Sequence, residues 1–233
     1  MKKNLTFLMG IAVFVLFFAN PAFSQFRLNL GPSIGTNFNI HTGSDLPQSG
    51  NGFGLVIGGQ ADMNFTPTIG LMANMQFYDN RSGSYTQTSS NQYTDNQTGA
   101  PVTSTVTQDN SSSIAYFALE ALFKVNLKNN NLFFFAGPSV GFNVEGSYDQ
   151  TTTETFPAGY QNNNTSNSSK GSLQNMNARF ELKFGGGYDI PTSAGMFITP
   201  QVSFGYGLTN VVQDVNWKIL TIQALVTVKF NVI

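Results

Sequence analysis

The chain has 233 residues, 41% of them hydrophobic and only 10% charged, and a formal net charge of −1. That near-neutral balance excludes any general attraction to nucleic acid or another polyanion. The absence of cysteine excludes disulfides, thiol catalysis, zinc–thiolate sites and a lipoprotein anchor.

The chain opens with Lys2 and Lys3, an apolar run from Leu5 to Ala19, and then Asn20-Pro21-Ala22-Phe23-Ser24. Small residues at Ala22 and Ser24 place a cleavage point before Gln25, so residues 1–24 read as a secretory signal peptide and 25–233 as the mature chain. No later stretch offers 18 uninterrupted apolar residues, so no transmembrane helix is expected. An exported chain is then either soluble or crosses an outer membrane as strands.

Strict alternation starts at Phe26: Phe26, Leu28, Leu30, Pro32, Ile34, Phe38 and Ile40 on one face, against Arg27, Asn29, Ser33 and Asn37 on the other. A period of two separates such faces only in a strand. The same pattern returns over Phe53–Phe65, turns at Thr66-Pro67-Thr68, and returns over Ile69–Phe77. Residues 79–112 are mostly Ser, Thr, Asn, Gln, Gly, Asp and Tyr and read as a long surface loop, with weak alternation at Tyr85–Thr86 and Val102–Val106 that would extend the flanking strands as a hairpin. A fourth strand follows over Ala115–Leu127, a tight turn at Lys128–Asn131, and a fifth strand over Leu132–Val144. Residues 148–172 form a second polar stretch, and Asn175–Ile190 alternates through sixteen positions, more than a typical soluble strand needs. Met196–Leu208, a modest loop at 210–216, and Ile222–Val232 complete the series.

These are eight strands, and their connections sort by parity: about 3 to 5 residues after the second, fourth and sixth, roughly 7 to 34 after the others. Short turns on one rim and long loops on the other belong to an eight-stranded antiparallel up-and-down transmembrane β-barrel, an all-β fold whose apolar face meets lipid. A soluble sandwich has no reason to sort its loops this way.

On that reading the inward positions collect the charge: Arg27, Lys124, Arg179, Lys183 and Lys229 against Asp62, Glu120, Glu145, Glu181 and Asp189. Balanced charges confined in a narrow lumen must pair, so these ten residues are expected to form a structural ionic network that fills and closes it. Inward glycines give room to larger neighbours, and Pro32, Pro138 and Pro200 inside strands predict local bulges.

The leader, the eight amphipathic strands, the parity-sorted loops and the terminal Lys229-Phe230-Asn231-Val232-Ile233 resemble the small outer-membrane β-barrel families, OmpA/OmpX-like and PorT-like barrels of the porin-family type. The resemblance implies the outer membrane of a Gram-negative bacterium, with membrane lipid and the barrel-assembly machinery as partners. The chain departs from the pattern at its last residue, Ile233, where these families usually carry an aromatic.

Nothing in the sequence demands catalysis or a cofactor. A Gly-rich phosphate loop needs a helix after its strand, and none follows. The one histidine, His41, sits at the loop rim beside Ser44 and Asp45 and reads as solvated rather than as a general base. Asp79, Asp95, Asp109, Asp149 and Asp214 read as solvated loop residues without calcium-loop spacing. Tyr78, Tyr148, Tyr188, Tyr206 and Trp217 fit interfacial aromatic girdles. The expected function is structural or surface interaction through loops 79–112 and 148–172 with an unidentified extracellular partner. A porin-like solute conduit is the alternative, and a rim-site enzyme a more distant one.

Overall fold

The computed structural model describes residues 26–95, 98–127, 131–158, 164–192 and 195–232. The leader at 1–24, its cleavage point at Gln25, and Lys128–Asn130 of the tight turn lie outside the described residues. All eleven regular elements among them are strands of one antiparallel sheet. They are β1 (Arg27–Thr42), β2 (Gly50–Asn64), β3 (Ile69–Asn80), β4 (Gly83–Thr94), β5 (Pro101–Asn126), β6 (Leu132–Thr155), β7 (Thr165–Ser172), β8 (Arg179–Tyr188), β9 (Ile190–Pro191), β10 (Met196–Gly207) and β11 (Lys218–Asn231).

The ladder runs from β1 to β2, then to β3, β5, β6, β8, β10 and β11, and β11 pairs again with β1, from Asn29↔Asn231 to Thr42↔Lys218. Three strands stand outside that series. β4 pairs with the distal half of β5, β7 with the distal half of β6, and two-residue β9 continues the β8 edge along β10.

Burial follows the alternation with inverted polarity. On β11 the buried positions include Thr221, Gln223, Thr227 and Lys229, while Ile222, Val226 and Phe230 are exposed. The same holds on β8, where Arg179, Glu181 and Lys183 are buried and Phe180, Leu182 and Phe184 exposed. A soluble monomer does not present so continuous an apolar exterior, because water would drive its burial. Among the described residues two small apolar clusters lie on the buried face: Met72, Leu122, Phe133 and Phe135 near the short turns, and a group around Trp217 near the long connections.

In its strands the structure departs from the sequence reading in four places. The described residues hold eleven strands, three beyond the eight expected: residues 79–112 and 148–172 are largely strand, with β3 running to Asn80, β4 and the first half of β5 forming a hairpin and β6 running to Thr155 before returning as β7, and Asp189 separates β9 from β8. Hydrophobic periodicity is blind to strands made of Ser, Thr, Asn and Gln. The run from Asn175 becomes regular strand only at Arg179, since Asn175 has φ 53°, a left-handed conformation open to Asn. Met176 forms an isolated bridge to Val212 and packs on the Trp217 group instead of facing outward. Finally, no bulge marks the three prolines. Pro32 pairs with Gly59, Pro138 with Leu182 and Pro200 with Val226 in unbroken register, each absent from the ladder on its other side, where its missing N–H would be needed. The irregularities fall instead at Ile57/Gly58, Gln76/Asp79 and Ala115/Tyr116.

Candidate functional site

The buried face of the sheet carries a polar network in three tiers. Nearest the short turns, Asp62 Oδ2 accepts from Lys124 Nζ at 2.7 Å and Lys229 Nζ at 2.6 Å. Both lysines also reach Asp189, Lys229 at 2.6 Å and Lys124 at 3.5 Å, and Thr199 Oγ1 donates to Asp189 at 2.7 Å. Lys124 lies over the Phe133 ring, 4.2 Å from its centroid. In the middle tier Glu120 accepts from Asn74 Nδ2 at 2.8 Å, from Gln76 Nε2 at 2.9 Å, and from Lys183. Lys183 donates also to Gln223 Oε1 at 2.8 Å, and Gln223 to Asn37 at 2.9 Å. In the upper tier Asp79 Oδ2 is shared by Arg81 Nη2 and Arg179 Nη2, each at 2.8 Å, while Asn37 Nδ2 holds Oδ1 at 2.6 Å. Glu181 Oε2 stands 3.4 Å from Arg179 and 3.8 Å from Arg81, and Arg179 lies 4.9 Å from the Tyr116 ring centroid.

Of the ten residues expected in this network, Asp62, Glu120, Lys124, Arg179, Glu181, Lys183 and Lys229 are buried and Asp189 is half-buried among them. Arg27 and Glu145 are not among them; both are exposed. Arg27 is the first residue of β1, beyond the lowest tier. Glu145 follows the irregularity at Ala115/Tyr116, where Tyr116 pairs with Asn143 and Ala115 with Glu145, so the parity counted from Leu132 no longer holds.

Two residues that alternation did not supply take their place. Asp79 and Arg81 are both fully buried, and Asp79, read as a solvated loop residue, anchors the upper tier. Phe77 and Tyr78 are both exposed at the Gln76/Asp79 irregularity, which carries the following residues onto the inner face. The signal in the sequence is an Asp and an Arg two positions apart directly after an apolar strand. Five cations, Arg81, Lys124, Arg179, Lys183 and Lys229, thereby face five anions, Asp62, Asp79, Glu120, Glu181 and Asp189. Buried charges are tolerable when paired and hydrogen-bonded, as Asp62, Asp79, Glu120 and Asp189 are; Glu181 has its two arginines as ion-pair partners but accepts no hydrogen bond.

Gly205 makes one of these positions possible. A Cβ there would overlap the Glu181 carboxylate, so the absence of a side chain on β10 gives the β8 carboxylate its place.

Above the upper tier lies an apolar cap. Ile114, Tyr116, Val211, Trp217 and Ile219 form its buried part, and Leu46, Leu173, Met176, Val212 and Val215 pack on it from three separate connections. His41 and Trp217 correct the sequence reading. His41 is 3% exposed rather than solvated, and its Nδ1 accepts the Trp217 indole N–H at 3.1 Å; Trp217 is buried rather than part of a girdle. Tyr78, Tyr148, Tyr188 and Tyr206 are exposed. Among the described residues no three of His, Cys, Asp and Glu lie close enough to hold a metal ion.

The family described as outer membrane protein β-barrel domain matches residues 17–213. The chain belongs to that family. It is an outer-membrane β-barrel protein, located in the outer membrane of a Gram-negative bacterium. Among solved structures it is similar to the attachment invasion locus protein Ail of Yersinia pestis, with 11% identity over 87% of this chain and 99% of that chain and a TM-score of 0.38. It is also similar to Neisserial surface protein A, with 12% identity over 86% of this chain and 97% of that chain and a TM-score of 0.35. A third likeness is to CarO2 of Acinetobacter baumannii, with 13% identity over 87% of this chain and 99% of that one and a TM-score of 0.36. No curated protein matches the chain.

Proposed function

We propose that β1, β2, β3, β5, β6, β8, β10 and β11 close into an eight-stranded membrane-spanning barrel whose lumen is plugged, and that the protein acts through the sheet that rises from it. The cyclic order of pairings, in which β11 returns to β1, supports closure. The three ionic tiers and the apolar cap support a plug, and they weigh against a solute conduit. A non-enzymatic role fits the His41 environment, where an indole occupies one ring nitrogen and the cap covers the ring.

The observation that carries the surface role is the four-stranded extension β4-β5-β6-β7. Its strands continue past the apolar exterior with mainly Ser, Thr, Asn and Gln side chains, cross-linked on the surface: Gln150 to Asn110 at 2.9 Å, Thr151 to Ser168 at 3.1 Å, and Lys170 to Asp149 at 2.6 Å. Such a sheet holds uncharged donors and acceptors in fixed positions, so a polar surface partner meets them with little ordering cost.

The test deletes both hairpins, residues 84–111 and 149–171, and compares adherence of cells displaying each form. Heat-modifiable gel migration is expected to persist and adherence to fall; unchanged adherence would overturn the surface role. Stable open conductance in planar bilayers would overturn the plug.

A further inference from the structure

We propose that the mouth of the protein binds one neutral hydroxylated ring, a hexopyranose, in the cavity beside the apolar cap that Trp217, Tyr85 and Tyr148 help to wall. This gives a chemical class to the polar surface partner proposed above and rests on that reading. The cavity measures about 180 Å³ and is partly open. That is room for about six waters at about 30 Å³ each, and well short of the roughly 300 Å³ at which pockets for drug-sized ligands begin. One six-membered ring with its hydroxyls fits.

Strand pairing builds one side of the cavity. Gly83 on β4 stands opposite Ser112 on β5, which stands opposite Tyr148 on β6; two positions further out, Tyr85 pairs with Asn110 and Asn110 with Gln150. Residues two apart share a face, so both rows lie on the same side of the sheet. Among the described residues the wall also holds hydrogen-bonding atoms that nothing in the protein meets. His41 is 3% exposed, and because its Nδ1 accepts the Trp217 indole N–H, the proton of the neutral ring sits on Nε2. Nε2 makes no hydrogen bond, since the nearby Ser82 and Arg81 carbonyls do not complete one. It lies against Gly83, where a Cβ would overlap it, so the bare glycine of the wall leaves it uncovered. Asp149 Oδ1 is a buried acceptor without a donor, its other oxygen meeting Lys170 at 2.6 Å. Gln150 commits its Nε2 to Asn110, which leaves Oε1 to accept from outside.

A buried donor or acceptor without a partner costs free energy that a ligand recovers by supplying one. A sugar hydroxyl both donates and accepts, so it serves an imidazole N–H and a carboxylate oxygen alike, and the C–H face of a pyranose suits the negative faces of aromatic rings. An anion finds no lysine or arginine among the described lining residues, and an ammonium finds one carboxylate, already paired with Lys170. A hydrocarbon would leave both orphaned atoms unmet.

Trp217 is the only tryptophan in the chain, so its emission reports on this wall. The experiment titrates the folded full chain, in a detergent without a sugar headgroup, with glucose, galactose and mannose, and with sorbitol as the open-chain polyol. A saturable change with at least one hexose and none with sorbitol is expected. Gln150→Leu, which removes the Oε1 acceptor, should weaken that response about tenfold while heat-modifiable migration is retained. Tyr85→Ala, on a different strand, gives the same result if the first variant fails to fold. No saturable response to any of the three hexoses overturns the proposal, as does an equal response to sorbitol or wild-type affinity in both variants. Adherence that falls on hairpin deletion while the hexose titrations stay silent leaves the surface role standing and removes this site alone.

Discussion

Arg179 on β8 donates from Nη2 to Asp79 Oδ2 on β3 at 2.8 Å, joining positions 100 residues apart in the chain, and Arg81 shares the same oxygen. Removing Asp79 strands two buried guanidinium groups at once. Asp79→Ala is expected to lower unfolding stability by about 3–5 kcal/mol, the range for breaking a buried ion pair on one side. Urea titration of the protein folded in lipid bilayers measures this. A loss below about 1 kcal/mol, the worth of an exposed pair, would mean that water reaches the upper tier.

Gly205 and Glu181 make a second pair. Because a Cβ at 205 would overlap the Glu181 carboxylate, Gly205→Ala is expected to cost about 1–3 kcal/mol, as overpacking does. Gly59→Ala serves as the comparison, since its nearest neighbour there would be Gly31 O at 3.7 Å, an ordinary contact. Equal stability of the two variants in thermal unfolding would show that Glu181 swings aside freely.

The exterior of β8 offers a test of the lipid-facing assignment. Leu182 is 52% exposed, between the buried positions Glu181 and Lys183. Leu182→Lys places an ammonium against hydrocarbon and is expected to cost about 2–4 kcal/mol at the bilayer midplane. The same substitution on a face wetted by water would change stability little, so folding yield into liposomes separates the two environments.

The extension carries its own pH dependence. Hydrogen bonds from Ser104 Oγ, then Tyr93 Oη and Asn91 Nδ2, hold the Glu154 carboxyl below its usual range. These bonds tie β6 to β4 across β5. A carboxyl whose folded value is depressed contributes stability that is present above its unfolded value near 4.5 and is lost as pH falls through the lower folded value. Amide exchange at Asn91–Thr94 is therefore expected to accelerate as pH drops below about 4 relative to the intrinsic rate, and Glu154→Gln to flatten that dependence. An unchanged profile in the variant would remove Glu154 as the cause.

Much of the fold was legible in the residues because its signal is local. Phe180, Leu182 and Phe184 alternate with Arg179, Glu181 and Lys183, and no tertiary information is needed to see a strand with one apolar and one charged face. The upper tier of the network was not legible. A single irregularity at Phe77–Tyr78 shifts parity, moving Asp79 and Arg81 from an apparent loop to full burial, and another at Ala115/Tyr116 leaves Glu145 exposed. Parity is counted along the strand, so one extra residue inverts every assignment beyond it.

The first hairpin showed only as the weak alternation at Tyr85–Thr86 and Val102–Val106, and the second was missed, for a different reason. β4 and β7 have no apolar face to alternate, and their order comes from ladders to β5 and β6, whose pairing partners are set by the whole sheet. Likewise His41 looked like a rim residue until the last long connection brought Trp217 to its Nδ1 from 176 positions away.

By itself, then, the sequence determined the strand class, the outward apolar surface and the excess of charge on the opposite face, since these depend only on spacing along the chain. Tertiary structure decided which charges meet, which loop residues become interior, and that the long connections close over the network as an apolar cap. Those outcomes depend on register between strands distant in sequence, where a shift of one residue exchanges the faces and no local pattern records it.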